Sequence, residues 1–396
     1  MLKQIYGGRI LTPSGWLKGG SVIVEGSKIF AVENTELPIV GAERINVYGA
    51  DIVPGGVELH VHGGGGRDFM EGTKEAFEVA VDAHLQHGTT SIFPTLSSST
   101  VPMINAAIDT CAEMMQEANS PVQGLHLEGP YFNPVQAGAQ IPEWIRLPKA
   151  EEYYPILSRG KGVLKRWDEA PELEGTVGFI HACRVHDVLP SIAHTRAQYF
   201  QVHAANVVGM THATHFYNAM PVVYKNREYK VPGTVESIFA EKNMTIEMIG
   251  DGIHVPPIML KMAWQVKGTE QTCFVTDSLA LAGLDDPTKA SAFDPRVIVE
   301  DGVCKLSDRS ALAGSVCTMD QIVKAAYQKA EIPLEDVFRM ISETPAKIMG
   351  IYDRKGSLQK GKDADVIAFD ENQNLTFVMQ AGQIIKYYGI KQSIGI

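Results

Sequence analysis

The sequence has few cysteines, no long apolar run and a deficit of positive charge, and these absences exclude several classes of protein. The five cysteines are odd in number and scattered without a Cys-x-x-Cys pair, which argues against a disulfide framework and against a zinc-thiolate site. No apolar stretch approaches the roughly 20 residues that a membrane-spanning helix needs, and the N-terminus does not resemble a signal peptide. We therefore expect a cytoplasmic, soluble protein.

The charge balance restricts the possible partners. The chain carries 35 Lys and Arg against 46 Asp and Glu, a net charge of −11. This excess of negative charge disfavours both nucleic acid and an acidic membrane surface as the main partner. A hydrophobic content of 45% with 20% charged residues is that of an ordinary soluble enzyme with ample material for a core.

Strand-like and helix-like segments alternate through the middle of the chain, which is typical of a parallel sheet with crossover helices. The predicted strands are 57–62, 89–94, 124–128, 163–167, 188–194, 211–215, 245–249 and 272–277. The predicted helices include 74–86, 101–117, 173–185, 196–208 and 257–266. We predict an α/β fold in which residues 52–352 form a (β/α)8 barrel, with its active site where the strands end.

The two ends of the chain contain short strand-like segments separated by glycine-rich and polar turns. Neither end is large enough for a comfortable core of its own. We therefore predict that residues 1–51 and 353–396 pair into one small β-sandwich domain.

His60 and His62 close the first predicted barrel strand, and four glycines follow them. Residues i and i+2 of a strand point to the same face, so the two imidazoles can converge on one point. Neutral imidazole is the commonest metal ligand among side chains. Two polar residues on the exposed face of an edge strand would have the same spacing, so the pair alone does not establish a metal site.

Four further metal-capable side chains close other predicted strands: Glu128, His194, His215 and Asp277. His212 would face away from His215 on a strand, so we place His215 at the centre. Each residue alone has a structural explanation, such as an ion pair or a hydrogen-bonded core histidine. Together with the histidine pair they predict a site for Zn²⁺, Fe²⁺, Mn²⁺ or Co²⁺, with Asp277 also able to carry a proton.

The other histidines are interpreted as structural. His84, His87, His181 and His203 lie on predicted helices, where we expect outer-face or capping positions, and His126 lies one pleat below Glu128. The four-glycine run has no Gly-Lys-Ser/Thr after it, so it is not a P-loop.

Several motifs together resemble the N-acetylglucosamine-6-phosphate deacetylases of the amidohydrolase superfamily. They are Pro54-Gly-Gly-Val-Glu-Leu-His-Val-His-Gly-Gly-Gly-Gly66, Gly124-Leu-His-Leu-Glu-Gly-Pro-Tyr131, Thr214-His-Phe-Tyr-Asn-Ala-Met-Pro221, Asp251-Gly-Ile-His254, Val275-Thr-Asp277 and Leu312-Ala-Gly-Ser-Val-Cys-Thr-Met319. The similarity runs from about Gly7 to the segment 360–365. One segment departs from the family, because Gln140 stands where the family has a histidine that polarises the acetyl carbonyl. A glutamine can donate a hydrogen bond there but supplies no positive charge.

The resemblance implies hydrolysis of N-acetyl-D-glucosamine 6-phosphate to D-glucosamine 6-phosphate and acetate, a step of amino-sugar catabolism. It implies one or two divalent metal ions per subunit, Zn²⁺ or Fe²⁺, held by Glu128, His194 and His215, with His60 and His62 available for a second ion. Asp277 is implied as the catalytic base and acid. The implied substrate contacts are Ala139, Gln140, Asn218, Ala219, Arg227, His254, Leu312, Ala313 and Gly314. The resemblance also implies a homodimer in which Arg227 reaches the neighbouring active site.

Three alternatives remain open at this point. The substrate could be a related sugar phosphate, N-acetylgalactosamine 6-phosphate. A cyclic-amide hydrolase of the same superfamily bridges its metals with a carboxylated lysine, for which Lys165 is the candidate here. A non-catalytic scaffold barrel is the third, although such a protein tends to lose ligands and this chain keeps every candidate.

Overall fold

The computed structural model describes residues 1–287 and 292–388. Within this part of the chain, eight parallel strands form the barrel sheet, and neighbours in the sheet follow chain order. Their bounds are Gly56–Val61, Thr89–Leu96, Leu125–Tyr131, Leu164–Glu169, Leu189–Ile192, His212–Ala213, Thr245–Ile249 and Thr272–Val275. The predicted (β/α)8 barrel is confirmed.

Hydrogen bonds just beyond the strands join the last barrel strand to the first. The Asp277 amide donates to the His60 carbonyl at 2.9 Å, and the His62 amide donates to the Ser278 carbonyl at 2.7 Å. The Thr276 amide donates to the buried Glu58 carboxylate at 3.0 Å. These contacts bring the two histidines beside Asp277, although more than half of the chain separates them.

Helices follow the barrel strands and cover the sheet. Their bounds are Lys74–Leu85, Val101–Met115, Ala150–Arg159, Thr176–Val185, Tyr199–Val207, Thr234–Ala240, Pro257–Lys267, Met319–Lys324, Leu334–Ile341 and Glu343–Ile348. Two helices begin later than predicted. The left-handed Gly175 (φ 96°) precedes the helix that starts at Thr176. The Gln201 side chain accepts a hydrogen bond from the Gln198 amide at 2.9 Å, which caps the helix that starts at Tyr199.

The two ends of the chain build two further sheets. One has the strands Leu2–Tyr6, Ser21–Glu25, Lys28–Glu33 and Ala42–Asn46, and the other has Arg9–Thr12, Gly15–Leu17, Asp51–Pro54, Val366–Phe369, Leu375–Gln380 and Gln383–Tyr387. Both contribute to one apolar core, which includes Ile5, Val24, Ile52, Val366 and Phe377. This is the predicted β-sandwich. Its proposed bounds stay a prediction, and residues 389–396 of that prediction lie outside the described residues.

The structure tests the predicted positions of the cysteines and of His84. All five cysteines are buried free thiols, as their scatter predicts. The outer-face or capping position predicted for His84 is wrong, because His84 is 1% exposed and its Nε2 atom lies 2.8 Å from the Gly63 carbonyl oxygen. Its helix packs against the short strand Gly63–Gly64, so the ring is turned inward. No helix of the described residues combines the length and apolar content needed to cross a bilayer.

Candidate metal centre

Six side chains meet in two groups at the carboxyl-terminal end of the barrel. The His60 group consists of His60, His62 and Asp277, and the Glu128 group consists of Glu128, His194 and His215. Within each group the ligand atoms lie within 4.8 Å of one another. The Glu128 carboxylate lies between the two, since its Oε2 is 3.4 Å from the His62 Nε2. The residues predicted as metal ligands are therefore adjacent in the fold.

Three of these side chains stand on loops just past the strands. The strands end at Ile192, Ala213 and Val275, and His194, His215 and Asp277 follow with φ angles of 44°, 29° and 49°. A positive φ is uncommon and unfavourable for residues other than glycine, and such residues cluster at functional sites. The left-handed turn redirects each side chain toward the barrel axis.

This turn also changes the surroundings of the neighbouring His212. On a continuous strand His212 and His215 would face opposite ways, but the strand ends at Ala213. Both residues therefore contact the same carboxylate: the His212 Nε2 is 3.3 Å from Glu247 Oε2, and the His215 amide donates to Glu247 Oε1 at 3.1 Å. The strand therefore does not extend to His215, but the prediction that His215 rather than His212 joins the ligand group agrees with the structure.

The imidazole nitrogens converge as they do around a cation. The His60 and His62 Nε2 atoms are 3.1 Å apart, and so are the Nε2 atoms of His194 and His215. The latter two lie 2.9 and 3.1 Å from Glu128 Oε1. Lone pairs directed at one small volume, together with carboxylate oxygens, are the donor set of a borderline divalent ion such as Zn²⁺ or Fe²⁺. The residues present thus fit the metal that the sequence predicts.

The carboxylates of Glu128 and Asp277 are both held in the ionised form. Burial by itself raises the pKa of Glu128, but hydrogen bonds with His194 and His215 outweigh it and hold that pKa well below its usual range. Burial likewise opposes ionisation of Asp277, while the neighbouring His60 and His62 lower its pKa. Both groups are therefore anionic at neutral pH, as metal ligation requires.

A network of buried charges lies beneath the ligands, and sequence reasoning missed it. Glu247 Oε1 is 2.8 Å from the His60 Nδ1, and Arg166 donates to both oxygens of Glu247. Arg166 also donates to Asp168 at 3.1 Å, and Asp168 lies 2.9 Å from the His126 Nε2. All of these side chains are fully buried. An acidic residue inside the otherwise mostly apolar strand Thr245–Ile249 was the available signal, since buried parallel strands are normally apolar throughout.

A cavity of about 650 Å³ opens above the two groups. Eight of the residues predicted to contact the substrate line this cavity: Ala139, Gln140, Asn218, Ala219, His254, Leu312, Ala313 and Gly314. Gly314 has a φ of 61°, and a Cβ there would lie 2.9 Å from the Asp277 carbonyl oxygen, so this position requires glycine. Unforeseen lining residues include Asp68, Ser97 and Ser98.

Gln140 and His254 offer polar atoms to a ligand in different ways. Gln140 Nε2 donates to Glu128 Oε2 at 2.8 Å, while its Oε1 accepts the Ser98 amide at 2.7 Å. Gln140 therefore also orients Glu128, which the resemblance did not imply. The His254 Nδ1 is 2.7 Å from Asp251, and its buried Nε2 has no hydrogen-bond partner among the described residues. That nitrogen is available to a ligand in the cavity.

Two residues considered from the sequence lie elsewhere. Arg227 stands in the exposed turn between the strands Tyr224–Asn226 and Tyr229–Val231, and it does not line the cavity of its own chain. Lys165 lines a separate cavity together with Lys28 and Lys355. It is therefore not placed to bridge metals, which removes the ligand on which the cyclic-amide hydrolase alternative depends.

The barrel and its two ligand groups are those of a metal-dependent hydrolase. The sequence profile of the Amidohydrolase family matches residues 52–388, and the chain belongs to that family. It is 30% identical over 382 residues to an N-acetylglucosamine-6-phosphate deacetylase from Bacillus subtilis (strain 168), with 95% of each chain covered. It is 32% identical over 335 residues to an N-acetylgalactosamine-6-phosphate deacetylase from Shewanella sp. (strain ANA-3), covering 84% of this chain and 83% of the relative.

A solved structure extends the comparison to three dimensions. A mutant N-acetyl-D-glucosamine-6-phosphate deacetylase from Mycobacterium smegmatis, in complex with N-acetyl-D-glucosamine-6-phosphate, superposes with a TM-score of 0.87 at 29% identity. The match covers 98% of this chain and 99% of that chain. The resemblance to the N-acetylglucosamine-6-phosphate deacetylases is thereby confirmed.

Proposed function

We propose that this chain hydrolyses the acetamide of N-acetyl-D-glucosamine 6-phosphate to give D-glucosamine 6-phosphate and acetate, in amino-sugar catabolism in the cytoplasm. The observation that carries the proposal is the meeting of two metal-ligand groups at Glu128, on the floor of a cavity of about 650 Å³. Such a volume is that of a small-molecule site. The names of the relatives support the same reaction.

The side chains divide the work of hydrolysis. A divalent ion supplies Lewis acidity, which lowers the pKa of a water and polarises a carbonyl. Asp277 accepts the proton of the attacking water and returns it to the departing amine nitrogen, as a general base and then a general acid. One N–H of the Gln140 amide is used by Glu128, and the other donates to the acetyl oxygen; the His254 Nε2, which has no partner among the described residues, contacts the sugar phosphate.

The metal content and assembly are part of the proposal. We assign the essential ion to the Glu128 group and a second ion to the His60 group, with Zn²⁺ or Fe²⁺ as the metal. We assign Arg227 to the phosphate of a substrate in the neighbouring subunit of a homodimer, because its exposed turn does not reach the cavity of its own chain.

A second substrate has support from relatives named for N-acetylgalactosamine 6-phosphate. The Shewanella sp. protein named for N-acetylgalactosamine 6-phosphate is 32% identical to this chain, which makes the epimer at C4 a genuine competitor. Discrimination of an epimer depends on one or two hydrogen bonds to a single hydroxyl.

Acetate release from the two 6-phosphates and ring opening of a cyclic amide distinguish the candidates. The purified protein, loaded with Zn²⁺ or Fe²⁺, is given both 6-phosphates and a cyclic amide such as dihydroorotate. We expect a higher kcat/KM for the glucosamine derivative and no turnover of the cyclic amide. Preference for the galactosamine derivative would replace the substrate but keep the reaction, whereas turnover of the cyclic amide alone would contradict the proposal.

A further inference from the structure

We propose that Glu247 is a positioning residue that prepares the His60 group for its metal ion and connects that group to the Glu128 group. The inference rests on the metal dependence in the proposed function. The Glu247 side chain touches neither the cavity nor the reacting atoms. We expect it to set the affinity of the His60 group for its metal ion.

The first observation is the contact between Glu247 and the rear of the His60 ring. Glu247 Oε1 lies 2.8 Å from Nδ1, while Nε2 on the opposite side of the ring faces His62 and Asp277. A carboxylate that accepts the Nδ1 proton fixes the tautomer whose Nε2 lone pair is exposed, and it also fixes the ring orientation. The His60 ring is fully buried, so Nδ1 is shielded from bulk solvent.

The second observation is that Glu247 is itself held rigidly. Arg166 donates to Oε2 through Nη1 and to Oε1 through Nη2, the paired geometry that an arginine forms with a carboxylate. Both side chains have no exposed surface. Arg166 is anchored further by Asp168 and by the Thr214 hydroxyl, which accepts from Nη2 at 2.7 Å. An acceptor fixed in this way cannot turn away from His60.

The third observation connects the two ligand groups. The same Oε1 atom accepts the backbone amide of His215 at 3.1 Å, and the Glu247 carbonyl accepts the Phe216 amide at 2.7 Å. His215 has a left-handed φ of 29°, a conformation that needs support from its surroundings. One carboxylate therefore contacts a ligand of each group: the ring of His60 and the main chain of His215.

Glu247→Asp is the test variant, because it keeps the charge opposite Arg166 and withdraws the carboxylate from His60 by one methylene. Glu169→Asp is the matched control: Glu169 is equally buried on another barrel strand, and its side chain binds Thr176 rather than a ligand. Apo-protein is titrated with Zn²⁺ against a chromophoric chelator. We expect two ions in the wild type, a loss of affinity of about 10- to 100-fold for one ion in Glu247→Asp, and no change in Glu169→Asp.

A double-mutant cycle identifies which ion is affected. His60→Ala should weaken the ion of the His60 group, and adding Glu247→Asp should change the affinity for that ion no further, because Glu247 acts on it through His60. Three results would each overturn the inference: equal affinities in Glu247→Asp and the wild type, an equal loss in Glu169→Asp, or an additional loss for the ion of the His60 group in the double variant.

Two further measurements keep the inference separate from folding and from the proposed reaction. If Glu247→Asp does not fold, 15N NMR of the metal-loaded wild type decides, since a His60 ring without a proton on Nδ1 overturns the inference. A wild type that releases acetate while binding one ion leaves the proposed hydrolysis intact and overturns the role of Glu247 together with the second ion. A wild type that binds two ions but releases no acetate overturns the proposed hydrolysis and leaves the role of Glu247 intact.

Discussion

Replacement of Asp277 by Asn tests the proposed proton transfer most directly. The side chain stands just beyond the eighth barrel strand, with Oδ1 at 3.2 Å from the His62 Nε2. Its backbone is fixed on both sides, because its amide donates to the His60 carbonyl and its carbonyl accepts the Ser315 amide. Asn keeps the shape, these backbone bonds and one oxygen toward the His60 group, but it cannot accept a proton from water.

The expected loss follows from what is removed. A positioned acid or base contributes roughly 10²- to 10⁴-fold, so kcat should fall by that factor, or about 2.7–5.5 kcal/mol of transition-state stabilisation. The Glu128 group does not include Asp277, so its metal should be retained. KM should change little, since most of the cavity lining is untouched.

The assay combines kinetics with metal analysis on the same preparation. Acetate release gives kcat and KM, elemental analysis gives the metal content, and thermal unfolding verifies the fold. If the Asn variant bound substrate poorly but turned it over at the normal rate, Asp277 would be a binding residue. If its metal content fell to zero, the loss of activity would no longer measure proton transfer, and the reasoning about the separate Glu128 group would be refuted.

Further predictions concern other residues. Glu128→Gln should abolish activity and retention of the ion of the Glu128 group, while Lys165→Ala should leave both nearly unchanged, because Lys165 lines a different cavity; the opposite result would restore the cyclic-amide alternative. Arg227→Ala should lower kcat/KM for the 6-phosphate by about 10-fold or more but spare unphosphorylated N-acetylglucosamine, with Lys230→Ala from the same hairpin as the control; equal losses on both substrates would indicate a structural role. Burial lowers the pKa of His84 from 6.5 to about 4, so only the unfolded chain takes up this proton between those pH values. The associated stability is complete above about pH 6.5 and declines by about 3 kcal/mol as the pH falls to 4, and His84→Gln should flatten that slope in urea unfolding; an unchanged slope would show that His84 is not the titrating group.

The sequence alone was sufficient to predict those features that depend on the residue pattern within a single strand or helix. Alternating strand-like and helix-like segments predicted the barrel, and the middle of each predicted strand coincides with a strand of the structure. The spacing of His60 and His62 predicted two rings on one face, because a period of two is built into any strand. Their Nε2 atoms lie 3.1 Å apart.

Only the tertiary structure decided where side chains at the ends of strands point and which residues distant in the chain contact one another. His194, His215 and Asp277 reach the centre through left-handed turns, which a strand pattern does not contain. Long-range hydrogen bonds between the last and first barrel strands bring the His60 group together, and only the folded barrel places Gln140 on Glu128. Glu247 is the clearest case: its neighbours in sequence are buried strand residues, while its partners Arg166 and His60 come from other barrel strands and His215 from the loop after a third. A buried charge is stable only beside such partners, and their distance along the chain leaves no local pattern in the sequence.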